Sequence, residues 1–392
     1  DATQAVKFYH AGGVWLLAFL VVAATNGLLG LVDAAITLIT AATLSVLAAV
    51  AGLITLLAGR LPAPIGARAA LYRLGGAGPV LGAGVAALVL ATLTQDGATT
   101  PFAYIPVLNP LALASAAVLG VALVWMVMTR NDAAEPVRAL VWSLRWAWWA
   151  LVIFCLSAEL ARTLHHLLGM PLTWDGLYAT ALFQALLAVL WSLLALTAIR
   201  WGRRLEMGRV WGAGPLVAGS VLAVILANLS VDASTAWLPF VPMLNLVALA
   251  SAVVLSVTLY WLFVTKQEAA EPLRTLLWSL RWAWWALLIF CLSAELARSV
   301  HHLLGMPLTW DGLYTTAIFQ TLLAVMWSMI ALGLMVWGSR RRARSAWFAG
   351  ASVLGLTVVK LFLVDLAGAG TVARIVSFIG VGLLILVIAF VA

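Results

Sequence analysis

Glu159, Arg162, His165 and His166, followed by Asp175, place an acid, a guanidinium, two imidazoles and a second acid within one short stretch of a chain in which charged residues make up only 9%. Spacings of three and four put Glu159, Arg162 and His166 on one face of a helix, with His165 one position round from it. Such a face can hold a polar or anionic group through the arginine and a histidine. It can pass a proton between the carboxylate and an imidazole, or use a histidine as a base. It can equally be structural, with Glu159 neutralising Arg162 and Asp175 capping the next helix. Two histidines and a carboxylate are zinc-ligand types. Adjacent helical residues point about 100° apart, however, so no metal or other cofactor is expected.

The same set returns as Glu295, Arg298, His301, His302 and Asp311, because residues 133–176 reappear almost unchanged at 269–312. PVLNP at 106–110 matches PMLNL at 242–246 and GAGP at 76–79 matches GAGP at 212–215, at the same offset of 136. Asn109 and Asn245 in those stretches suit the cap of a following helix and would face the same compartment as the histidines. With them, the ten motif residues are the candidate ligand contacts. Cys155 and Cys291 occupy matching places in apolar runs and read as small buried groups rather than a disulfide.

The elements that must carry these residues are set by composition. At 65% hydrophobic and mean hydropathy +1.10, with runs longer than about 18 apolar residues, the chain is an all-α, polytopic helical membrane protein. Twelve spans are expected, grouped as three parallel four-helix repeats at 1–136, 137–272 and 273–392, the first without the motif. The net charge of +8 comes from Lys and Arg clustered in alternate loops. That bias places both termini in the cytoplasm and the motif at the outer end, and it argues against a nucleic-acid partner. RWAWW at 145–149 and 281–285 fits an aromatic belt at the inner end. A first residue Asp1 rather than Met is expected of a processed or partial product. Near the C-terminus, Arg374 is placed to reach back to Asp365 across a short turn, with Lys360 nearby, a structural set pinning the last hairpin.

Residues 347–386, WFAGASVLGLTVVKLFLVDLAGAGTVARIVSFIGVGLLIL, and LNPLALASA at 108–116 resemble the bacterial multi-pass proteins grouped as domain of unknown function 2339. The resemblance implies an envelope location and marks Lys360, Asp365, Arg374 and Asn109 as family features, without an activity. Members of that group are typically longer, so it also implies a short member or a C-terminal portion. The leading expectation is a bacterial inner-membrane protein, among membrane lipids, that binds or translocates a lipid-linked or other polar solute at the outer leaflet. The alternatives are a structural or assembly component with an envelope protein partner, or an intramembrane enzyme using a histidine.

Overall fold

The computed structural model describes residues 2–62, 66–99, 103–132, 134–202, 209–229, 240–268, 273–361, 379, 382, 383 and 386. The described residues form helices throughout, because a helix satisfies its own backbone polar groups where lipid offers no partner. Two compact units emerge, Asp1–Tyr178 and Ala179–Ala392.

The first unit contains α1 (Ala2–Leu31), α2 (Ile36–Leu57), α3 (Ala69–Thr94), α4 (Pro110–Asp132) and α5 (Val137–Leu168). Its core is rich in alanine, with Ala41, Ala48, Ala51, Ala77 and Ala91 packed around Leu44, Leu88, Leu111 and Val118. Small residues let helices approach closely, which matters where lipid supplies no hydrophobic drive between them. Large apolar side chains such as Leu16, Phe19, Leu90 and Leu113 are exposed.

The second unit contains α6 (Ala181–Trp201), α7 (Arg209–Leu229), α8 (Leu246–Glu268), α9 (Leu273–Leu304), α10 (Ala317–Arg341) and α11 (Arg344–Lys360). α6, α7 and α8 share a core of Ala181, Ala185, Ala227, Val247 and Ala250. α10 and α11 form a tight hairpin: a Cβ on Gly350 would lie 2.7 Å from the Ala331 carbonyl.

Helix boundaries recur at the 136-residue offset. α4 and α8 are both 23 residues long, at Pro110–Asp132 and Leu246–Glu268. One difference lies at the Trp-rich end. α5 breaks at Leu144, where the guanidinium groups of Arg130 and Arg145 lie over the Trp142 ring at 4.3 and 5.1 Å, whereas α9 runs unbroken. The Trp residues there do more than mark a belt, since Trp148 Nε1 donates to the Leu119 carbonyl at 2.8 Å and Trp284 Nε1 to that of Leu255 at 2.9 Å.

Ten helices among the described residues are long and apolar enough to span a membrane, against the twelve spans expected from sequence. The eleventh expected span, 346–364, overlaps α11, which has 17 residues among those described. The twelfth, at 371–391, falls mainly outside the described residues, as do Asp365 and Arg374. Lys360 is described, and its ammonium donates to the Gln320 carbonyl at 3.0 Å.

Candidate functional site

α5 carries the first copy of the motif to its last turn and stops at Gly169, whose φ of 66° lets its N–H close onto the His165 carbonyl at 2.8 Å. Residues 95–99 and 103–109 lie against this end of the helix and supply most of its partners. Glu159 Oε1 accepts from the Asn109 side-chain amide at 2.6 Å, the Tyr104 hydroxyl at 2.7 Å and the Val107 N–H at 3.0 Å. Asn109 Oδ1 meanwhile accepts from the Ala112 N–H at 2.8 Å, so one side chain caps α4 and holds the carboxylate. Burial pushes the Tyr104 hydroxyl above its usual pKa, and the adjoining Glu159 carboxylate adds to the shift, so the phenol remains a donor at neutral pH.

Arg162 lies against the C-terminal end of α3. Its Nε donates to the Gln95 carbonyl at 3.0 Å and its Nη2 to those of Thr92 and Ala91 at 3.2 and 3.3 Å. The Ala91 carbonyl also accepts the Gln95 N–H, but the last carbonyls of a helix are short of intrahelical donors and carry the negative end of its dipole, which explains a cation there. Its Nη1 stands 3.6 Å from Glu159 Oε2 in an ion pair whose members are 4% and 7% exposed.

The second copy repeats the lock with different wiring. Glu295 Oε1 accepts from Asn245 at 2.6 Å and the Met243 N–H at 2.8 Å. Its Oε2 takes two bonds from Arg298, at 2.9 Å from Nη2 and 3.3 Å from Nε. Asn228 stands at the position of Thr92 plus the offset, and its side-chain oxygen accepts from Arg298 Nη2 at 2.9 Å. Arg298 Nη1 has no hydrogen-bond partner among the described residues, although the residue is only 2% exposed.

Val107 and Met243, the two residues whose N–H groups reach the carboxylates, have φ of 65° and 64°. A branched side chain in the left-handed region is strained, and the carboxylate bond holds it there. Replacing Val107 by Gly is expected to stabilise the protein by about 1 kcal/mol. Equilibrium unfolding in bicelles checks this; a loss of stability would show that the conformation carries no strain.

The histidines face the same loop. His165 Nδ1 donates to the Met170 carbonyl at 2.6 Å, and its Nε2 lies 4.0 Å from Asp96 Oδ2. His166 Nε2 is 2.9 Å from the Asp96 carbonyl oxygen, and its ring stacks on Tyr104 at 4.1 Å. In the second copy His301 Nδ1 donates to the Met306 carbonyl at 2.5 Å, and His302 stacks on Phe240 at 4.2 Å.

Two expectations change. Asp175 and Asp311 do not cap the next helix: they are exposed within short π-helical turns, Trp174–Tyr178 and Trp310–Tyr314, and the caps are Thr180 and Thr316. Adjacent positions on the helix also do not keep the two imidazoles apart: the rings of His165 and His166 converge to 4.7 Å between centroids, and Asp96, which the motif itself does not include, joins them. A signal for Asp96 exists in the sequence: Asp232 stands at its offset position in a segment where most neighbours differ. Asp232 itself lies outside the described residues.

A polar cavity of about 440 Å³ adjoins this end, lined by Thr37, Gln95, Asp96, Arg162 and Tyr178 among others.

Fold and site together define a multi-pass α-helical membrane protein with buried charge networks at one end of its helices. The chain belongs to the DUF2339 family, described as "Predicted membrane protein", whose model matches residues 1–236 and 215–392. No curated protein and no solved structure matches it.

Proposed function

We propose that the chain is a structural or assembly component of the bacterial inner membrane, with the motif acting as an internal lock rather than as a solute contact. The observation that carries this reading is the use of Arg162: two of its three nitrogens donate to carbonyls at and just beyond the end of α3, and the third faces Glu159. A guanidinium held in that way orders the end of a helix bundle and presents little of itself to a solute. Rigid outer loops then offer a fixed surface to an envelope protein.

The discriminating experiment compares the wild type with Arg162→Lys, purified in mild detergent. The wild type is expected to migrate as a stoichiometric complex with a partner protein, and phosphate or phosphosugars are expected to leave its melting temperature unchanged. Stabilisation by one of these anions that disappears in a folded Arg162→Lys protein would overturn the reading.

A second reading, binding or translocation of a polar solute, is favoured by two observations: the 440 Å³ cavity reaching Arg162 and the unpartnered Nη1 of Arg298. A solute of this kind would be small and hydrogen-bonding, since the cavity walls include Gln95, Asp96 and Thr37.

A further inference from the structure

Asp96, His165 and His166 belong to neither the Glu159–Arg162 lock nor the core of the first unit. One ligand atom from each of the three lies within 4.8 Å of the others. Three ligands around a zinc-class ion at its usual bond length stand roughly 3.4 Å apart, so closure requires side-chain adjustments of an ångström or so. We propose that these three residues form a binding site for a divalent transition-metal ion of the zinc class, with water completing the coordination.

Three observations support the assignment beyond residue type. First, His165 is anchored as a ligand would be: with Nδ1–H donating to the Met170 carbonyl, its Nε2 is left to bind and lies 4.0 Å from Asp96 Oδ2. Metal-binding histidines characteristically give their other ring N–H to a carbonyl or carboxylate in this manner. Second, the remaining members are held in place. His166 is stacked on Tyr104 and donates Nε2–H to the Asp96 carbonyl at 2.9 Å, so it coordinates through Nδ1 or exchanges that bond for the ion, and Asp96 Oδ1 accepts from the Ala98 N–H at 3.0 Å, fixing the turn that presents the carboxylate. Third, an ion has a route in. The side chains of His165 and Asp96 are 27% and 43% exposed, and Asp96 also lines the polar cavity.

The convergence of two adjacent histidines follows from their separate anchors. His165 is anchored to the Met170 carbonyl and His166 to the Asp96 carbonyl, and their rings meet edge to face at 64°. Softness and geometry favour zinc, cobalt or nickel over magnesium or calcium, which prefer all-oxygen sites. Three protein ligands leave one position for water, the arrangement of a site that exchanges ligands rather than a closed structural one. The second copy carries Asp232, His301 and His302 at identical sequence spacing.

The site goes beyond the lock described above: neither Glu159 nor Arg162 is a ligand, although both hold its neighbours, Glu159 through Tyr104 and Arg162 through the Gln95 carbonyl. The test uses full-length protein in detergent, stripped with chelator and titrated with Zn²⁺ against a chromophoric competitor, with Co²⁺ as the spectroscopic probe. The wild type is expected to bind one ion more than Asp96→Asn or His165→Gln at the same free Zn²⁺. Affinity at the first-unit site should fall at least about 100-fold in each variant, the upper end of what loss of a mere supporting partner costs. Co²⁺ should give a visible d–d band that weakens in the variants. Metal-free circular dichroism melts of the variants serve as the control for folding. Absence of Zn²⁺ binding by the wild type below millimolar concentration would overturn the proposal. So would equal stoichiometry and affinity in a folded His165→Gln/His166→Gln protein, which would leave the Asp96–His165 contact an ion pair only.

Discussion

Replacing Arg162 by Ala is expected to lower the unfolding free energy by about 3–5 kcal/mol, the range seen when one member of a buried ion pair is removed. The loss has two sources. Glu159, 7% exposed, would keep its hydrogen bonds to Asn109, Tyr104 and Val107 but lose the facing positive charge. The carbonyls of Thr92 and Gln95 at the end of α3 would lose donors, while that of Ala91 would keep the Gln95 N–H. Arg162→Lys should recover only part of this, because a single ammonium cannot serve both the Glu159 carboxylate and the three carbonyls. Arg298→Ala is expected to behave alike, since Arg298 binds Glu295 through two nitrogens and Asn228 besides. Unfolding of each variant in bicelles provides the comparison; a loss below about 1 kcal/mol in both would place them with ordinary exposed ion pairs.

The second large effect concerns Asn109, which is 2% exposed and has two duties. Asn109→Ala removes the cap of α4, costing about 1 kcal/mol, and a hydrogen bond to a charged group, about 1.5–3 kcal/mol. Asn109→Asp separates the two duties. Asp is as good a cap as Asn, but its carboxylate would stand where an amide now donates to Glu159 at 2.6 Å. Asp is therefore expected to restore none of the stability lost in Ala, when both are measured by the same unfolding titration. Recovery by about 1 kcal/mol or more in Asn109→Asp would mean that capping is the main duty.

The features legible in the sequence were those governed by local periodicity and by the bilayer. Hydropathy identified the all-α multi-pass fold, and the 136-residue offset anticipated that α4 and α8 begin and end at matching positions. The i, i+3 spacing of Glu159 and Arg162 was enough to pair them, as Glu295 and Arg298 also pair. Partners contributed by the loop before α4 were not legible. Arg162 is held by main-chain carbonyls, which carry no residue code, and Asp96 reaches His165 across 69 positions of sequence. Capping of the next helix by Asp175 is one reading the sequence allows, because an acid near a helix start is a common signal. The intervening π turn moves the true start to Ala181 and hands the cap to Thr180.

The internal lock is tested most directly by a double-mutant cycle on Glu159→Ala and Arg162→Ala, with unfolding free energies measured in bicelles for the wild type, both single variants and the double. Mutual dependence of the two groups predicts that the double variant loses little more than either single one, a coupling of at least about 2 kcal/mol. Losses that add to within about 0.5 kcal/mol would contradict it, showing that Glu159 and Arg162 act independently.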